Sequence, residues 1–213
     1  MSVKEVPWWG IASSALAPAV LAAGWMIGAS VQSRPYDPVA DTVSALAGAG
    51  ATDRWVMTLA FALAGVCEVV TGLALRPARA AGRAILIAGG VAGVLVASYP
   101  VRMGVGAPPG HILWAVTGLT ALAVWPLAAA RRGRDVPSLL RPEAALPATV
   151  LLVAMLALFG VELAVSAGQA GLAERVLGEA QSAWPFAVAM SCGHPVRVKP
   201  RSRPVRGYRV TGG

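Results

Sequence analysis

The sequence predicts an all-α protein: a polytopic transmembrane bundle of six helices, with a short amphipathic helix in its first outer loop. Three observations lead there. Of the 213 residues, 56% are hydrophobic and only 13% charged, and the mean hydropathy is +0.65, more apolar surface than one soluble core of this size can hide. The apolar residues fall in runs close to the roughly 20 that a helix needs to cross about 30 Å of hydrocarbon. Basic residues stand between those runs and not inside them.

The first run, 9–30, follows Lys4 and exceeds the roughly 7–15 residues of a signal-peptide core, so it reads as a retained helix. The second, 55–75, contains Glu68. The third, 84–99, stops before Pro100, and the fourth, 111–130, opens directly after Pro108-Pro109-Gly110. The fifth, 147–167, carries Glu162 near its end. The sixth, 176–192, is short and contains Glu179 and Gln181. Residues 1–192 are thus expected to form one transmembrane domain. Residues 193–213, with Pro195, Pro200, Pro204 and six basic residues, read as a disordered cytoplasmic tail.

Charge sets the expected orientation. Lys4, Arg76, Arg79, Arg83, Arg131, Arg132, Arg134, Arg141 and the six basic residues of the tail fall on one side of six spans, and Arg34, Arg54, Arg102 and Arg175 on the other. Fourteen against four predicts a plasma-membrane protein with both termini in the cytoplasm. The net charge of +8 is accounted for by this asymmetry, and no nucleic-acid-binding motif accompanies it. The preference for Arg over Lys is the bias expected of a GC-rich bacterial genome as much as of selection, and carries no functional signal.

That orientation puts the longest connection, 31–54, outside. Asp37-Pro38 reads as an N-cap with Pro at the first helical position, and Gly48 or Gly50 as a stop. Val39, Val43 and Leu46 would form the apolar face of an amphipathic helix on the outer leaflet. Gly24-x-x-x-Gly28 and Gly89-x-x-x-Gly93 mark close helix packing. Trp125-Pro126 and Trp184-Pro185 read as interface anchors beside kinks, and Cys67 and Cys192 as packing residues.

Ionisable residues inside a membrane are costly, which makes Glu68 and Glu162 candidates for function, or else acids hydrogen-bonded to a neighbouring helix. On the outer side, Asp37, Asp41, Asp53, Arg102, His111, Glu174 and Arg175 could line a polar pocket with Glu162 as its floor; interfacial capping is the simpler reading. Two histidines are too few for a catalytic zinc site, and no metal or cofactor is expected. Asp41, Ser44 and His111 are the residue types of a hydrolytic triad without its usual frame. Gly65-Val-Cys-Glu68 and Gly160-Val-Glu162 hint at inverted halves.

The stretch from Asp37-Pro-Val-Ala-Asp-Thr-Val-Ser-Ala-Leu-Ala-Gly48 to Ala51-Thr-Asp-Arg-Trp-Val-Met57, with Tyr99-Pro100, Pro109-Gly-His111 and Ala123-Val-Trp125-Pro126, resembles a bacterial membrane-protein family, domain of unknown function 998. The resemblance implies a six-helix membrane fold and brings no catalytic residues. A more distant similarity to the eukaryotic Frag1/DRAM/Sfk1 group runs through Ser44-Ala-Leu46-Ala-Gly48.

Three kinds of function remain open. The first is a non-enzymatic membrane protein whose partners are the lipid bilayer and a lipid or small amphiphile, or an envelope assembly, engaged through the outer face by Asp37, Asp41, Ser44, Arg102, His111 and Glu162. The second is a small-solute or proton-coupled transporter using Glu68 and Glu162. The third is an intramembrane enzyme around Asp41, Ser44 and His111, which requires those side chains to converge.

Overall fold

The computed structural model describes residues 5–102, 105–133 and 135–193. Lys4, Arg134, His194 and the basic tail, with the expectations placed on them, lie outside the described residues.

The apolar runs fold as helices here, α1 even across Pro18 in its middle, and among the described residues the chain has seven helices and no strand. They are α1 (Trp8–Ser30), α2 (Val43–Leu46), α3 (Trp55–Ala74), α4 (Ala80–Val96), α5 (Pro109–Ala129), α6 (Pro142–Val165) and α7 (Ala170–Gly193), with a 3₁₀ turn at Ser138–Leu140. α1, α3, α5 and α6 are each long and apolar enough to cross a membrane, and α4 is a shorter apolar helix. α7 carries Glu174, Arg175, Glu179 and Gln181 along its first half.

The long helices pack in a ring, in the order α1, α3, α4, α5, α6, α7 and back to α1, with α3 and α5 also touching α7 across the middle. Small residues let neighbours approach. Gly24 of α1 lies against Ala60 of α3, and a Cβ at Gly65 of α3 would sit 2.5 Å from the Gly90 carbonyl oxygen of α4. Without glycine at both positions 65 and 90, α3 and α4 would be pushed apart.

The end of the ring that holds the start of α1 and the end of α7 is closed by a core of Leu75, Leu86, Trp125, Leu140 and Val188. Trp125 is completely buried there, so the interface-anchor reading is corrected: this ring packs inward. Just after Pro126, where the helical hydrogen-bond ladder is interrupted, the Leu127 N–H donates to Thr149 Oγ1 of α6 at 3.1 Å, a side-chain repair of the kind a membrane requires. Arg83 of α4 donates to the Gly72 and Leu73 carbonyls at 2.9 and 3.0 Å, satisfying the last carbonyls of α3, where a cation also complements the helix dipole.

Several element boundaries differ from expectation. α4 starts at Ala80, not 84, and ends at Val96; α6 starts at Pro142. α7 starts at Ala170 and not at 176, because its charged first turns find partners elsewhere in the chain. The loop-one helix is a single turn, Val43–Leu46, capped by Thr42, whose side chain accepts from the Ala45 N–H. Asp37 instead closes a local turn by accepting from the Val39 N–H at 2.8 Å. Val43 and Leu46 are buried against Met57 and Ala60, with Trp25 alongside, so that apolar face turns into the bundle and not toward a leaflet; Val39 is exposed.

Candidate functional site: an interior cavity beneath loop one

Loop one is fastened to the first turns of α7 by two adjacent residues. Arg175 is 7% exposed; its Nη1 donates to the carbonyls of Pro38 (2.7 Å), Asp41 (3.1 Å) and Gly171 (2.8 Å), and its Nη2 donates to the Tyr36 hydroxyl. The guanidinium carbon also lies 5.3 Å from the Trp25 ring centre and 5.5 Å from that of Tyr36, within cation–π range. Glu174 accepts from the Val43 N–H at 2.6 Å and from the Ser44 hydroxyl at 2.7 Å. Backbone bonds from Gly171 N–H to Ala40 and from Leu172 N–H to Val39 complete the seam. Burial raises the Tyr36 phenol above its ordinary pKa, against the pull of the Arg175 charge; the hydroxyl stays protonated and donates to the Asp41 and Thr42 carbonyls at 3.2 Å each.

Beneath this clamp the ring holds a partly open cavity of about 130 Å³, walled by α1, α2, α3, α4, α5 and α7 and mostly apolar. Glycines 65, 89, 90, 93, 118 and 178 are among its lining residues; a Cβ on any of them would meet a neighbouring helix, so they are where the surrounding helices come closest. Three acidic residues, Glu68, Glu174 and Glu179, are among those that line it, together with Gln181. Glu179 accepts from the Trp25 indole N–H at 3.1 Å, and the Gln181 amide donates to the Leu119 carbonyl at 2.8 Å. Glu68 is different. It is 2% exposed, and neither of its carboxylate oxygens has a hydrogen-bond partner, a costly condition for any buried polar group.

Of the six outer-face residues put forward from sequence, Ser44 alone lines this cavity. Asp41 accepts from the Asp37 N–H at 2.9 Å, so the two aspartates shape the loop. Arg102 is exposed and pairs through its backbone with Gly106. The imidazole Nδ1 of the buried His111 lies 2.8 Å from the Tyr99 carbonyl. Asp41, Ser44 and His111 therefore each bond a different partner and form no triad. Glu162 sits near the end of α6, where it accepts from the Gln169 N–H at 3.3 Å; it is not a floor to the cavity, and it shares no interior position with Glu68, so the inverted-halves pattern finds no geometric counterpart. The cavity's own polar residues, Glu179 and Gln181, looked in the sequence only like weak points of the last helix.

A family model described as Protein of unknown function (DUF998) matches residues 15–191. The chain belongs to this family. The match runs from α1 into α7 and so takes in loop one, the clamp and every wall of the cavity. No curated protein and no solved structure matches the chain. Membership in DUF998, together with the four long apolar helices, makes this a membrane protein, and the motif of loop one that carries the resemblance is the segment that α7 clamps.

Proposed function

We propose that this DUF998 protein crosses the plasma membrane six times, with both termini in the cytoplasm, and binds a small amphiphile in the cavity beneath loop one. The observation that carries the binding reading is Glu68: a buried carboxylate without a partner, on the wall of an otherwise apolar space. A void of about 130 Å³ is of the order of engineered apolar cavities that hold benzene, about 150 Å³. A mostly apolar pocket with a few polar groups is also the usual form of a small-molecule site. The six-span topology rests on the excess of basic residues on the terminal side, with the shorter α4 and the more polar α7 crossing beside the four long apolar helices; α7 turns its polar side chains toward the ring interior, where a membrane tolerates them.

The site supports binding better than the two alternatives. A transporter route through Glu68 and Glu162 needs both carboxylates inside the ring, and Glu162 bonds the α6–α7 connection instead. An enzyme built on Asp41, Ser44 and His111 needs convergence, and their bonds lead apart.

Native mass spectrometry of the full chain, extracted gently from its own membrane, tests the reading against Ala115→Phe, which fills the cavity from α5. A small molecule retained by the wild type and absent from the variant is the expected result. Identical adducts on both proteins would remove the cavity as the binding place.

A further inference from the structure

The polar groups of the cavity wall are unevenly matched, and the imbalance specifies charge. Three buried acceptor atoms of residues that line the cavity have no donor: both carboxylate oxygens of Glu68 and the Oε1 of Gln181. Against them stands one orphan donor on the same wall, Arg175 Nε. The rest of the Arg175 guanidinium is committed to loop one, to Gly171 and to Tyr36, with its face over two rings. Glu174 and Glu179 have donors already. Ionised, the wall holds three carboxylates and one guanidinium: Arg175 stands beside Glu174, the neutral Trp25 indole holds Glu179, and Glu68 has neither a cation nor a donor.

Glu68 and Gln181 also lie at matching depth. Glu68 is 13 residues past Trp55 in α3, and Gln181 is 11 residues past Ala170 in α7, both counted from the loop-one end. At about 1.5 Å per residue these are roughly 20 and 17 Å into the ring. Phe61 and Trp114 stand on the same wall, and their ring faces suit a cation. The remaining surface is Trp25, the Ser44 and Ser182 side chains and otherwise glycine and aliphatic carbon, and the described residues contain no group of three or more His, Cys, Asp or Glu side chains placed to hold a metal ion.

We propose that the occupant of the cavity is a small organic ammonium, whose N–H groups meet Glu68 and Gln181 while its hydrocarbon body fills the glycine-lined space. This rests on the amphiphile-binding reading above and narrows it to one charge class. A neutral amphiphile would leave the Glu68 carboxylate uncompensated, and an anionic one would face three carboxylates.

The test uses the full-length protein in lipid nanodiscs, with benzylammonium, benzyl alcohol and benzoate as probes of similar shape. Binding is read from tryptophan fluorescence after subtraction of empty nanodiscs, since Trp25 and Trp114 line the cavity. Benzylammonium is expected to bind at least about tenfold more tightly than benzyl alcohol, as a charge-assisted hydrogen bond implies, and benzoate not at all. Glu68→Gln should collapse that ratio to near one; Gln181→Leu should reduce it severalfold and serves if the first variant fails to fold. Equal affinity for the amine and the alcohol in the wild type overturns the ammonium assignment and leaves the cavity reading standing. An amine preference that survives Glu68→Gln and Gln181→Leu overturns the assignment to these residues. If no probe binds, or Ala115→Phe binds each probe as well as the wild type does, the cavity reading falls and the inference with it.

Discussion

α6 and α7 are each 24 residues long and lie side by side, yet they follow opposite plans. α6 is apolar on every side between Thr149 and Glu162, only 22% of its most apolar stretch is buried, and Val150, Leu151, Leu158 and Val161 face away from the ring. α7 buries Leu177, Gln181 and Val188, holds loop one with Glu174 and Arg175, and lends Glu179 to the cavity. A helix that meets lipid needs a composition, because acyl chains are as apolar as leucine. A helix that organises its neighbours needs particular residues at particular heights. Sensitivity to substitution should therefore gather in α7.

Arg175→Ala should produce the largest effect. It strips the loop-one carbonyls of their donor and leaves Glu174 without its nearest cation; a loss of about 3 kcal/mol or more is expected for a buried, charged, multiply bonded group. Reversible unfolding in mixed micelles would measure it, and a change below about 1 kcal/mol would show that loop one holds without the guanidinium. Glu174→Gln keeps an acceptor and loses the charge, so about 1–2 kcal/mol is expected, with faster hydrogen exchange at the Val43 and Ser44 amides as the local signature. Unchanged exchange there would mean the carboxylate is not what fastens α2.

Glu68→Gln extends the comparison to α3, where a polar side chain faces the same cavity without a clamp. Removing an uncompensated carboxylate should raise the stability of the empty protein by about 1 kcal/mol while weakening amine binding. Loss of stability would point to a bonding role for the carboxylate. Leu151→Ala, on the outward face of α6, should change stability by no more than about 0.5 kcal/mol; a larger loss would reveal a protein surface packed against α6.

Most of the helices could be read from the sequence because an unbroken apolar run leaves a membrane chain few other ways to satisfy its backbone. The first turns of α7 could not. Glu174 and Arg175 interrupt the hydropathy there, and what makes them helical is a set of partners some 130 residues earlier, which no local window contains. The same distance hid the fate of loop one: Val43 and Leu46 have amphipathic spacing, but nothing local says whether the apolar face meets lipid or protein. Glu68 and Glu162 looked alike because rarity flags both equally. Only the ring distinguishes a position facing glycine across α3 and α4 from one at the rim of α6.

The seam between loop one and α7 also bears on how the protein is made. Residues 36–44 leave the ribosome long before residues 171–175, so the four helices α3 to α6 are synthesised while the Pro38 and Asp41 carbonyls still lack Arg175 and the Val43 amide still lacks Glu174. The loop-one end of the ring is thus completed last, by the final helix, and a chain that stalls before α7 carries an unsealed loop one. Such a product would differ from the finished protein at one segment that proteases and quality-control factors can reach.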